Sequence, residues 1–230
     1  MHIKHVFFDL DRTLWDFETN AYKTLSDLYI DHALKQKGIC DVDIFIDKYK
    51  MHNELLWQLY RDDKVEKDVL RSRRFKLTLL EFGINDDHLA HELGDQYIKK
   101  SPLKTHVFPF THEVLNYLKE KYHLHIITNG FEEVQYVKLR HSKLLHYFEQ
   151  IITSEQVGVK KPNAEIFSHA LVKASCMSNE SIMIGDDLPV DILGAKAMGM
   201  YQVYFNPEKI PHQESIDFEI SCLSELKQIL

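Results

Sequence analysis

FFDLDRTLWDF, residues 7–17, ends a short apolar run on two aspartates, Asp9 and Asp11, with one leucine between them and Thr13 two positions on. Acids at the end of a buried strand are costly unless something pairs with them. Either they mark an ordinary strand end, or they meet a cation and do chemistry there.

Further along the chain, residues 5–8, 124–127, 150–152, 182–184 and 201–205 are apolar runs, most of them giving way at once to polar or glycine-bearing turns. Helical patterns lie between them. THEVLNYLKEKY carries Val114, Leu115 and Leu118 on one face. NAEIFSHALVKA spaces Ile166, Phe167, Ala170, Leu171 and Ala174 as a helix, with Asn163 placed to cap it. VDILGAKAMG closes on Gly199, and CLSELKQIL reads as a final amphipathic helix. Strands alternating with helices predict an α/β fold, a mostly parallel sheet with helices on both faces.

Residues 17–99 break this alternation. They hold helical periodicity alone: one stripe runs through Phe17, Ala21, Leu25 and Leu28, another through Phe45, Tyr49, His52 and Leu56, a third through Leu89, Leu93 and Tyr97. An all-helical insertion over 17–99 is expected directly after the acidic strand end, with residues 1–16 and 100–230 forming the core.

Composition narrows the function classes. The 230 residues are 44% hydrophobic, enough for one sizeable core and a small accessory domain. A formal charge of -7 argues against a nucleic-acid or anionic-membrane surface. No apolar stretch approaches bilayer length, and the N-terminus runs into a strand without a small-residue cleavage site. Cys40, Cys176 and Cys222 lack CxxC spacing and read as reduced thiols of a cytoplasmic protein. The histidines are scattered, with no HExxH, so no histidine metal site is expected.

Ligands of open parallel sheets bind beyond the carboxyl ends of the strands. There the sequence offers Asp9, Asp11 and Thr13, then Thr128, Asn129 and Gly130, then Lys160 and Lys161, then Asp186, Asp187 and Asp191. Taken singly, a TNG is a turn, a lysine pair is solvated, and GDDLPVD is a helix start with acids at its positive end. Together, in order and all at strand ends, they suit phosphoryl transfer. Asp9 can attack phosphorus and become an aspartyl phosphate. Mg²⁺ fits the all-oxygen set of Asp9, the Asp11 backbone carbonyl, Asp186 and waters. Asp11 returns to the same side of an extended chain and can protonate the leaving group, then take a proton from water. Thr128 and the Asn129 amide can donate to phosphoryl oxygens, and Lys161 supplies positive charge. Asp187 is read as a helix-start acid and Asp191 as supporting the site without binding the metal.

DLDRT, TNG, KKPNAEIF and GDDLPVD together resemble the four signature motifs of haloacid dehalogenase-like hydrolases, in that family's order. The resemblance spans the chain and implies a Rossmann-like core with an inserted helical cap. It also implies a Mg²⁺-dependent phosphatase with Asp9 as nucleophile, Asp11 as acid/base, Thr128 and Lys161 on phosphate, and Asp186 on the metal. Arg12 stands where many members have glycine, so it either shapes the loop or reaches toward substrate. LLWQLYRDDKV, RRF, IITNGF followed by Q and KL, and SEQVGVKKPNAEIFSHAL are similar to the pyrimidine 5'-nucleotidases of the superfamily. That likeness implies a small phosphorylated metabolite, a nucleotide, as partner, with Trp57 and Tyr60 stacking on a base and Arg74 engaging substrate. Phosphatases of sugar phosphates or phosphoglycolate and phosphomutases share all four motifs and stay open. A dehalogenase is disfavoured by Asp11, and a phosphate-binding regulatory protein by the intact motif set.

Overall fold

The computed structural model of the chain describes residues 2–230. Two compact units are present, Met1–Phe17 with Thr105–Leu230, and Glu18–Lys104. Among the described residues, no helix is long and apolar enough to cross a membrane.

The Glu18–Lys104 unit is helical, built from α1 (Phe17–Asp31), α2 (Val42–Arg61), α3 (Lys67–Leu80) and α4 (Asp87–Lys100). Asp41 starts α2 by accepting from the Asp43 and Ile44 amides at 2.8 and 3.2 Å, and Asp86 starts α4 by accepting from Leu89 N at 2.9 Å. The apolar stripes close on a core of Leu25, Leu28, Phe45, Tyr49, Phe75 and Leu93.

The other unit contains the sheet. Its strands are β1 (His5–Phe8), β2 (His123–Thr128), β3 (Gln150–Thr153), β4 (Ser181–Gly185), β5 (Tyr201–Phe205) and β6 (Phe218–Ile220). The order is β3-β2-β1-β4-β5-β6, every pairing parallel. Such strands are buried on both faces, which is why they read as nearly continuous apolar runs. Val6 and Phe8 face one layer with Leu115, Leu118 and Leu226, whereas Phe7 faces the other with Ile166, Phe167 and Ala195. The covering helices are α5 (Thr111–Lys119), α6 (Glu132–His141), α7 (Ser154–Val157), α8 (Ala164–Lys173), α9 (Leu193–Ala197) and α10 (Leu226–Ile229). Asn163 caps α8 through Glu165 N at 2.9 Å.

Three local features differ from the expectation. β6 is an additional strand, too short at Phe218–Ile220 to show a period in the sequence. The final helix is interrupted, a 3₁₀ turn over Leu223–Glu225 leading into α10. The segment before α9 is a π-helical turn, Leu188–Ile192, a form frequent at functional sites. From β1 the chain winds outward through β2 and β3, then crosses back to β4 on the other side of β1. The crevice where that order reverses lies at the carboxyl ends of β1 and β4.

Candidate active site

Asp9 follows β1 directly, and its N–H bonds Ile184 O at 2.9 Å, which sets it beside the end of β4. Its carboxylate is buried and accepts from Lys161 Nζ at 2.6 Å. The same ammonium donates to Ile127 O at 2.7 Å and lies 2.6 Å from Asp191 Oδ1. Lys161 is 2% exposed, so it is no solvated surface lysine. Burial opposes its charge, but Asp191 and Asp9 outweigh that and hold the ammonium above its ordinary range. Its backbone is gripped by one side chain: Asn129 Oδ1 accepts from Lys161 N at 2.8 Å, and Asn129 Nδ2 donates to Lys161 O at 3.0 Å. The Asn129 side-chain amide thus joins the loops after β2 and β3.

Asp186 follows β4, and its Oδ1 accepts from the Thr13 hydroxyl at 2.9 Å. The π turn brings Asp191 back under it, where Asp187 N donates to Asp191 Oδ2 at 3.3 Å. Gly185 is required there, because a Cβ would lie 2.3 Å from Asp191 Oδ2. Asp187 caps the turn, accepting from Val190 N at 3.1 Å.

Asp9, Asp186 and Asp191 each present a carboxylate oxygen, and these atoms lie within 4.8 Å of one another. Burial pushes the Asp9 carboxyl up to about 7 against the pull of Lys161, with Asp191 adding to the rise. Burial and the charges of Asp9 and Asp191 push Asp186 well above its ordinary value. A cation among these oxygens would reverse that penalty. Lys161 is shared at 2.6 Å by Asp9 and Asp191, and a hard divalent ion suits the all-oxygen set of Asp9, Asp186 and Asp191.

The Asp11 carboxylate, partly exposed, turns toward α6. Its Oδ2 accepts from Gln135 Nε2 at 2.9 Å and its Oδ1 from Lys138 Nζ at 2.5 Å. The Thr128 hydroxyl oxygen accepts twice, from Gln135 Nε2 at 2.7 Å and Gly130 N at 3.1 Å, which leaves its own hydrogen to donate. Arg12 takes the left-handed conformation, φ +63°, where glycine is free and other residues are strained. Its guanidinium carbon sits 4.7 Å from the centre of the Phe17 ring.

Of the residues expected from sequence, Asp9, Asp11, Thr128, Asn129, Lys161 and Asp186 meet at this crevice. Trp57 and Arg74 belong to the helical unit. Trp57 meets Tyr60 edge-on at 5.5 Å. Arg74 is 2% exposed, closed in by the rings of Tyr49, Phe75 and Tyr97, and donates to Asn53 Oδ1 at 2.9 Å. In this conformation it packs inside its own unit and presents no donor to solvent. Sequence reasoning missed Gln135 and Lys138, although Q and KL stood in the stretch that carried the nucleotidase likeness. It also gave Thr13 no role.

The chain matches the family model described as haloacid dehalogenase-like hydrolase over residues 6–205. It belongs to that family. Among similar proteins, the pyrimidine 5'-nucleotidase PynA of Streptococcus pneumoniae is 30% identical over 100% of this chain and 96% of its own. The glyceraldehyde 3-phosphate phosphatase of Methanothermobacter thermautotrophicus is 31% identical over 99% of this chain and 98% of its own. The crystal structure of the HAD-hydrolase YfnB of Bacillus subtilis, bound to magnesium, superposes with a TM-score of 0.89 at 27% identity, covering 100% of this chain and 99% of that one.

Proposed function

We propose that this hydrolase removes phosphate from a nucleoside 5'-monophosphate, with a pyrimidine base preferred, through an aspartyl phosphate on Asp9. The observation that carries the chemistry is the convergence of Asp9 and Asp191 on one buried ammonium, with carboxylate oxygens of Asp9, Asp186 and Asp191 within 4.8 Å of one another where the strand order reverses. Asp9, the Asp11 carbonyl and Asp186 would hold Mg²⁺, which when bound offsets the repulsion between carboxylate and phosphate. Asp9 is aligned by Lys161 for attack on phosphorus. The Thr128 hydroxyl hydrogen, the Asn129 N–H and Lys161 are the donors for the phosphoryl oxygens. Asp11 gives a proton to the departing oxygen and then takes one from the water that releases phosphate.

The base preference rests on the likeness to PynA over the whole chain. The helical insertion is assigned the part of a substrate-selecting cap, with Trp57 as the candidate for stacking on a base and Arg74 as a contact only if its aromatic enclosure opens. A triose phosphate phosphatase is the second reading, favoured by the likeness to the archaeal enzyme. A cytoplasmic setting is supported by three cysteines that form no disulfide.

Phosphate release from nucleoside monophosphates, triose phosphates and sugar phosphates, with Mg²⁺ and with a chelator, tests this reading. Pyrimidine nucleotides should be turned over fastest and only with the metal. Equal rates across the classes would remove the base preference, and turnover in Asp9→Asn would remove the nucleophile.

A further inference from the structure

The α6 side chains around Asp11 are buried to an extent that surface solvation does not explain. Gln135 is 0% exposed and Lys138 5%. The Lys138 ammonium lies 4.3 Å from the centre of the Trp15 ring, itself fully buried, and its carboxylate partner is Asp11 at 2.5 Å. Gln135 Nε2 spans Asp11 Oδ2 and Thr128 Oγ1, at 2.9 and 2.7 Å. A carboxylate only accepts, so this amide nitrogen is fixed on that side. The Gln135 carbonyl oxygen is buried without a hydrogen-bond partner, a cost that an apolar side chain in its place would avoid. An ion pair whose ammonium is buried is likewise weak as a device for stability alone. Gly130 belongs to the same arrangement, since a Cβ there would lie 2.2 Å from Gln135 Nε2.

We propose that Gln135 and Lys138 are positioning residues which hold the Asp11 carboxyl, by one donor on each oxygen, in line for proton transfer to the leaving oxygen. This rests on the phosphatase reading above. In the first step a bond forms between Asp9 and phosphorus while the bond from phosphorus to the leaving oxygen breaks, and that oxygen takes the Asp11 proton. In the second, water attacks phosphorus and gives a proton to Asp11, and Asp9 is released as a carboxylate. Each Asp11 oxygen keeps a second lone pair for these transfers while α6 holds the first. Gln135 also ties the proton donor to Thr128, so the two groups that meet the phosphate ester move together.

The test is leaving-group dependence in the full-length protein with Mg²⁺. Two substrates are compared by kcat/KM: the alkyl phosphate turned over fastest in the panel, whose alkoxide needs protonation, and p-nitrophenyl phosphate, whose phenolate does not. Gln135→Met and Lys138→Met should lower the alkyl value by about tenfold or more beyond any loss on the aryl ester. Lys138→Arg should recover part of that gap. If Gln135→Met does not fold, Gln135→Asn, too short to span Thr128 and Asp11, carries the same comparison. An equal loss on both esters, or none, overturns the positioning role. Asp9→Asn is the separate control: if it stays active, or if no alkyl phosphate is turned over by the parent, the phosphatase reading itself falls.

Discussion

Replacing His125 with valine isolates an acid sensitivity built into the sheet. His125 lies in β2, 1% exposed, its ring 5.4 Å from that of His5 and 4.7 Å from that of Phe7. Its Nε2 is 3.1 Å from His5 Nδ1. Burial lowers its pKa from 6.5 to about 4, the His5 and His123 charges add to the fall, and Glu149 opposes it. Above about pH 6.5 the imidazole is neutral whether the chain is folded or not, and stability is complete. As pH falls toward about 4 the unfolded chain takes a proton that the folded chain refuses, and stability is lost until both forms are charged. That shift corresponds to about 3 kcal/mol in full and about 2 kcal/mol between about pH 7.5 and about pH 5. For a chain of this size it amounts to a drop of about 4–8 °C in Tm. Urea unfolding of the parent and of His125→Val at both pH values measures it: the variant should lose about 2 kcal/mol less on acidification. Parallel losses in the two proteins would refute the reasoning and place the acid sensitivity elsewhere.

Lys161→Met leaves the buried Asp9 and Asp191 carboxylates without their shared cation. It should destabilise the metal-free protein by about 3–5 kcal/mol in urea unfolding, with part of the loss recovered on adding Mg²⁺. Gly130→Ala forces the Gln135 amide aside, so turnover of alkyl phosphates should fall at least about tenfold while far-UV circular dichroism stays that of the parent. Asp41→Ala removes the acceptor that starts α2 and should cost about 1 kcal/mol of stability in thermal unfolding, with kcat/KM unchanged.

Much of the fold was legible because the signals are local. A strand buried on both faces needs a mostly apolar run, and β1 to β5 have one, broken only by residues such as His125 in β2 and Gln202 in β5. The helices need apolar residues at three and four positions, and α2, α5 and α8 have them. The strand-end residues could be listed in order because a parallel sheet brings every carboxyl end to one side. β6 escaped because a three-residue strand carries no period.

By itself, the sequence determined an alternating α/β core with a helical insertion, and the set of groups gathered at one end of the sheet: Asp9, Asp11, Thr128, Asn129, Lys161 and Asp186. Tertiary structure alone decided which atoms of that set meet. Lys161 could have been a solvated lysine until folding buried it between Asp9 and Asp191. Asn129 could have faced a phosphate with its side chain, yet that amide grips the Lys161 backbone. Gln135 and Lys138 are remote from Asp11 in the chain, and only the packing of α6 against the loop after β1 brings them to it. Local patterns report the conformation of a segment, whereas the partner of a buried polar group is set by contacts between segments far apart in sequence.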